Sequence, residues 1–188
     1  MGFMERIQLH DKVFKKYIPY DTFIKDINRV AEEMNRDFKD RNEIPIVVCV
    51  LNGSLPFTAE ILRRMDFLCE LSSLKVSSYS GISTQGNVVF KQPLTCDVKG
   101  RTVIIVEDIV DSGYTMDALI RFFKEQGAKE TKICTLFFKE EAFRFKGKFD
   151  IDYIARPIQN QFIVGFGLDY DELGRNLKDI YILDENPA

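Results

Sequence analysis

The sequence predicts an α/β fold, a mainly parallel central sheet flanked by helices. Three features carry this. Short β-branched apolar runs alternate with amphipathic stretches along most of the chain. The strongest runs are apolar at nearly every position, the pattern of strands covered on both faces. No internal repeat or low-complexity linker interrupts the alternation. With 188 residues, 45% of them hydrophobic, the chain is ample for one core and short for two full domains.

Residues 1–20 carry no functional signal, and Phe14 and Ile18 are expected to dock on the body. Residues 21–39 read as an amphipathic helix. Asp21 suits its N-cap, and Ile24, Ile27, Val30, Ala31, Met34 and Phe38 share one face. Residues 44–51, IPIVVCVL, read as a buried strand ended by Asn52-Gly53-Ser54. A helix over 55–66 follows, with Pro56 in its first turn. Residues 72–79 read as a strand. The polar, glycine-bounded GISTQG at 81–86 predicts a mobile loop, with 88–90 as its return strand. A strongly apolar strand at 102–106 leads to a helix over 114–126, stopped by Gly127. Residues 133–138 form the next strand, and 151–154 and 162–168 are shorter candidates. Right-handed crossovers place the strand C-termini on a common edge, where ligands bind in this architecture. The loops after Leu51 and Val106 both lie there.

Composition excludes several classes. The 29% charged and 12% aromatic fractions are those of a folded globular chain. A formal net charge of -3 lacks the general basic surface that nucleic acid requires. No apolar run approaches the roughly 20 residues of a membrane helix. The opening MGFMERIQLHDK has no long apolar stretch before its charges, so the cytosol is the expected compartment. Cys49, Cys69, Cys96 and Cys134 form no CxxC pair, and the one histidine, His10, is remote in sequence. They are expected to be free, buried or partly buried thiols rather than zinc ligands.

The stretch from Val103 to Met116, VIIVEDIVDSGYTM, carries the chemistry. It runs from a strand through an acidic pair into a small-residue loop and then a helix. Asp111, Ser112, Gly113, Tyr114 and Thr115 offer successive backbone N–H groups at a helix N-terminus, which can cradle a phosphate monoester. Gly113 permits close approach, and Ser112 and Thr115 add hydroxyl donors. Glu107 and Asp108 are odd beside a phosphate. They fit if they accept hydrogen bonds from sugar hydroxyls or sit near a magnesium ion. No GxxxxGK[ST] and no GxGxxG is present. Asp-Ser-Gly alone would be an ordinary cap and turn; the acidic pair and Thr115 weigh against that.

This stretch resembles the phosphoribosyl diphosphate (PRPP) signature of the type I phosphoribosyltransferases, and most closely the hypoxanthine or hypoxanthine-guanine enzymes. The resemblance runs from about residue 44 to 183. It implies the type I phosphoribosyltransferase fold in one domain, residues 1–188. A small hood would be formed by N-terminal residues and about 151–188, and a flexible loop would span about 78–90. Leu51-Asn52-Gly53-Ser54 resembles the family's diphosphate loop, with a cis peptide between Leu51 and Asn52. The family often has Lys where this chain has Asn52. Ser78-Tyr79 resembles the start of the catalytic loop that closes over substrates. Lys139 matches the lysine set against a purine 6-oxo group, although Glu140-Glu141 after it depart from the family pattern. In the hood segment, Phe162 would stack on the purine, Ile163 would read the base edge through its backbone, and Asp169 would help hold Mg²⁺. Arg175 matches a diphosphate-binding arginine.

The implied reaction joins a purine base to the ribosyl group of PRPP, releasing diphosphate. Asp111 would act at purine N7, and Glu107 and Asp108 would hold the ribose hydroxyls and Mg²⁺. Hypoxanthine is the favoured base, with guanine also accepted. The implied assembly is a homodimer or homotetramer, without nucleic acid or membrane partners. The residues also leave open a PRPP-binding regulator, a phosphoribosyltransferase acting on orotate, uracil or adenine, and a generic α/β binding protein.

Overall fold

The apolar runs read from the sequence become the strands of a parallel sheet. A computed structural model describes residues 5–78, 88–90 and 94–185. Its elements are β1 (Arg6–Leu9), β2 (Lys12–Ile18), α1 (Tyr20–Phe38), β3 (Ile46–Leu51), α2 (Leu55–Leu62), β4 (Glu70–Ser78), β5 (Val88–Phe90), β6 (Thr102–Val110), α3 (Tyr114–Glu125), β7 (Glu130–Phe138), β8 (Tyr153–Pro157), β9 (Ile163–Val164) and β10 (Ile180–Leu183). The larger sheet has the order β5-β4-β3-β6-β7-β8. Strands β4, β3, β6, β7 and β8 run parallel, and β5 is antiparallel to β4.

Alternation along β6 sorts its side chains between two cores. Ile104 and Val106 pack with Phe23, Ile27, Met34 and Phe57 of α1 and α2. Val103 and Ile105 pack with Leu119 and Phe123 of α3. This places helices on both faces and the loops after β3 and β6 on one edge, as the sequence predicts.

A second sheet has the order β1-β2-β10-β9, and of its strands only β9 lies in a run that the sequence marks as a strand. Of 162–168 only Ile163–Val164 is extended, because Gly165, Phe166 and Gly167 take φ of 108°, 48° and 103° and turn the chain away. Strand β8, inside the range expected for the hood, instead pairs with β7 in the larger sheet.

Two local readings are corrected. Asp21 does not cap α1. The cap is Pro19, in extended conformation, and the Tyr20 N–H donates to Asp179 Oδ1 at 2.9 Å. A buried carboxylate from outside the helix thus does the work expected of a local one. Second, Glu107 and Asp108 lie within a strand rather than after it. Pairing with β3 ends at Val106, but pairing with β7 continues through Ile109 and Val110. All four cysteines are free, Cys49 and Cys134 buried. No helix among the described residues is long and apolar enough to cross a membrane.

Candidate active site

The loop after β3 is threaded between two other segments. The Leu51–Asn52 peptide is cis, Asn52 is exposed, and Gly53 is buried. A Cβ on Gly53 would stand 1.8 Å from Asp108 Oδ2, and one on Gly167 would stand 1.9 Å from the Gly53 carbonyl oxygen. Asp108, Gly53 and Gly167 therefore stack in one column that no larger residue can enter. Behind it the buried Ser54 hydroxyl donates to the Val50 carbonyl at 2.8 Å.

The acidic pair is withdrawn from water. Glu107 and Asp108 are 8% and 9% exposed. Burial, and then the adjacent Asp108 carboxylate, hold the Glu107 carboxyl well above its usual range. Burial also raises Asp108, against the hydrogen bonds it accepts, including one from Ile109 N–H at 2.9 Å. Glu107 Oε2 is buried and accepts no hydrogen bond. A buried polar atom of this kind demands a partner, and a ligand hydroxyl, which can donate or accept, would supply one.

From Asp111 the chain enters the phosphate-loop candidate. Gly113 is the N-cap of α3 at φ 89°, and no side chain caps the helix. Asp111 is exposed, while Ser112, Tyr114 and Thr115 are half-buried around this helix end. The Ser112 carbonyl accepts from Arg144 N–H at 3.0 Å, which ties the loop to the segment after β7. Lys139 follows the end of β7, 8% exposed, and its Nζ lies 2.8 Å from Asp111 Oδ2. Its backbone N–H donates to Val110. Parallel pairing of β6 with β7 thus brings these two residues together.

The segment around β9 completes the edge. Phe162 is 43% exposed, unusual for a large aromatic, and Ile163 is buried and paired with Ile182. Arg175 donates through Nη1 to the Gly167 carbonyl at 2.9 Å. Its Nη2 reaches Asp169 Oδ1 at 2.9 Å and Glu172 Oε2 at 3.0 Å, and its Nε is buried without an acceptor. The Asp169 Oδ2 accepts Glu172 N–H at 2.8 Å. Glu107, Asp108 and Asp169 do not form a ready-made metal cage. No group of three or more His, Cys, Asp or Glu is arranged to hold a metal among the described residues. Asp169 instead faces Arg175. Ser78 ends β4; Tyr79 and the 81–86 loop lie outside the described residues.

A pattern of this kind has known relatives. Residues 19–171 match the family described as phosphoribosyl transferase domain. The chain belongs to this phosphoribosyl transferase family. A hypoxanthine-guanine phosphoribosyltransferase of Streptococcus pneumoniae is 38% identical over 178 residues, covering 94% of this chain and 97% of its own. One from Streptococcus pyogenes is 40% identical over 163 residues, 86% of this chain and 88% of its own. Among solved structures, a hypoxanthine-guanine phosphoribosyltransferase from Bacillus anthracis superposes with TM-score 0.82 at 32% identity, covering 90% of this chain and 98% of that one. The hypoxanthine phosphoribosyl transferase of Trypanosoma cruzi gives 0.84 at 28% identity, covering 95% of each. The type I phosphoribosyltransferase fold expected from the sequence is therefore borne out.

Sequence reasoning did not single out Gly167, Glu172 or Asp179 in this phosphoribosyltransferase. Their partners Gly53, Arg175 and Tyr20 are set by the fold or by turn geometry. The paired glycines of Gly165-Phe166-Gly167 were the only local signal.

Proposed function

We propose that this phosphoribosyltransferase transfers the 5-phosphoribosyl group of PRPP to hypoxanthine, and also to guanine, forming IMP or GMP and diphosphate in purine salvage. The observation that carries this reading is the juxtaposition of Lys139 and Asp111 at the edge of a PRPP-type loop. An ammonium donates to a 6-oxo group and opposes a 6-amino group, and a neighbouring carboxylate can accept the N7 proton.

In this reading the loop Asp111 to Thr115 holds the 5′-phosphate through its N–H groups and hydroxyls, and Tyr114 closes one side. Glu107 and Asp108 accept the ribose hydroxyls and lie near the positive charge that develops on the sugar. The orphaned Glu107 Oε2 supports this role. Asn52, Gly53 and Arg175 take the diphosphate. Phe162 stacks on the base and Ile163 reads its edge.

Mg²⁺ suits the site, since the available donors are carboxylate oxygens, the hard ligands this ion takes one or two at a time beside substrate phosphates. Asp169, with Glu107 and Asp108, would hold it, and when bound it neutralises the charge of the leaving diphosphate. Ser78 and Tyr79 begin the loop proposed to close over the substrates. The proposed setting is the cytosol, and the proposed assembly a homodimer or homotetramer.

The test is a spectrophotometric assay with PRPP, Mg²⁺ and, separately, hypoxanthine, guanine, xanthine and adenine. Turnover of the 6-oxopurines is expected, falling about 10²–10⁴-fold in Asp111→Ala. PRPP binding without turnover of any base would overturn the reading.

A further inference from the structure

The turn between β1 and β2 lies far in sequence from every residue given a role above, yet it grips the proposed base platform. The Tyr170 hydroxyl donates to Asp11 Oδ1 at 2.7 Å, and His10 Nε2 donates to the Asp171 carbonyl at 3.0 Å. Lys12 Nζ stands 4.4 Å from the centroid of the Tyr170 ring and 5.7 Å from that of Phe162. The fully buried Phe14, two residues along the same strand, packs 6.0 Å from both rings. Phe162 and Tyr170 meet edge to face at 5.9 Å.

A half-exposed phenylalanine has several rotamers open to it, and a stacking surface works only if it is already in place when the base arrives. Here the ring has Phe14 and Tyr170 as neighbours, and an ammonium spans it and Tyr170. The Asp11 hydrogen bond then fixes Tyr170. A cation beside an aromatic face is worth about 0.5–1 kcal/mol at an exposed site.

We infer that the β1–β2 turn is a positioning element for base binding, with Lys12 and Asp11 acting through Tyr170 to set the ring of Phe162. This rests on the reading that Phe162 stacks on the purine. Lys12 is a positioning residue here and touches no reacting atom.

Steady-state kinetics on four variants tests it. Lys12→Met and Tyr170→Phe are expected to raise the KM for hypoxanthine about 2–5-fold, with kcat and the KM for PRPP within about twofold of the parent. Lys12→Arg keeps the cation and is expected to restore the parent value. Phe162→Leu, the control on the platform itself, is expected to raise the hypoxanthine KM further. If Phe162→Leu raises it while Lys12→Met and Tyr170→Phe leave it unchanged, this inference fails and the stacking reading stands. A hypoxanthine KM indifferent to Phe162→Leu removes both. Equal losses in both KM values and kcat, or no rescue by Lys12→Arg, would mark the turn as merely structural and overturn the inference.

Discussion

Lys139 Nζ lies 2.8 Å from Asp111 Oδ2, so the two groups proposed to meet adjacent positions of a purine are already paired before a base arrives. The lysine is buried and the aspartate half-exposed. The ion pair fixes the ammonium where a base edge would enter, and it needs no long-range movement to form, because both residues follow paired strands.

Replacing Lys139 by Met should therefore alter base choice more than PRPP binding. A lost charge-assisted hydrogen bond costs about 1.5–3 kcal/mol, or roughly 10–100-fold in kcat/KM for hypoxanthine. Adenine should lose nothing, so the ratio between the two bases should narrow by that factor. Competition assays with both bases measure it, and an unchanged ratio would remove Lys139 from base recognition.

The column of Asp108, Gly53 and Gly167 makes a different demand. A methyl group at Gly53 would overlap the Asp108 carboxylate, and at Gly167 it would overlap the Gly53 carbonyl at a φ of 103°. The Gly167 collision is with backbone, which must move; the Gly53 collision is with the buried Asp108 carboxylate, which must be pushed out of its place in the site. Gly53→Ala is expected to raise the KM for PRPP at least tenfold while leaving the far-ultraviolet circular dichroism spectrum as it was. Gly167→Ala should also lose stability of order 1–3 kcal/mol from its strained φ, seen as a lower melting temperature. Parent-like PRPP kinetics in both would show that the column plays no part in diphosphate binding.

Asp179 links the two sheets' neighbourhoods by accepting the Tyr20 N–H at 2.9 Å and pairing with Lys16 at 3.4 Å. Losing a cap of this kind costs about 1–2 kcal/mol. For a chain of 188 residues, that is a melting temperature lower by about 2–8 °C in Asp179→Ala. Asp179→Asn keeps an acceptor for the N–H and should lose less. Scanning calorimetry of both variants distinguishes the cap from the ion pair: equal losses would assign the effect to charge alone.

How much of this was legible follows from the range of each interaction. The helices of 20–38 and 114–125 and the strands of the larger sheet announce themselves by local periodicity and glycine stops, and the PRPP-type loop is contiguous. Strands β1 and β2 mix Arg and Lys with their apolar residues, and β10 is apolar but only four residues long, so none stands out. Strand β2 is joined to β10 across more than 150 residues, with Leu183 opposite Phe14. The expected cap at Asp21 failed for the same reason, since its replacement, Asp179, is distant in sequence. The acidic pair was recognised as anomalous, but its burial depended on β6 running on to Val110, which only the pairing with β7 specifies.

That burial has a consequence for stability in the absence of ligand. Glu107 keeps its proton to a higher pH in the folded protein than in the unfolded chain, where it titrates near 4.5. Above that value the folded state binds more protons than the unfolded one, so its stability declines as pH rises toward the raised folded value. Glu107→Gln carries no such proton and loses that decline, while retaining nearly the same shape. The ligand-free variant should therefore melt higher than the parent at pH 8, with a smaller advantage at pH 5. The same variant should bind PRPP more weakly, because an amide replaces the carboxylate proposed to accept a ribose hydroxyl. Melting curves at the two pH values, with and without PRPP, measure both effects. A difference in melting temperature that is the same at pH 5 and pH 8 would mean that Glu107 is already ionised in the folded protein, and the desolvated acid pair would have to be abandoned.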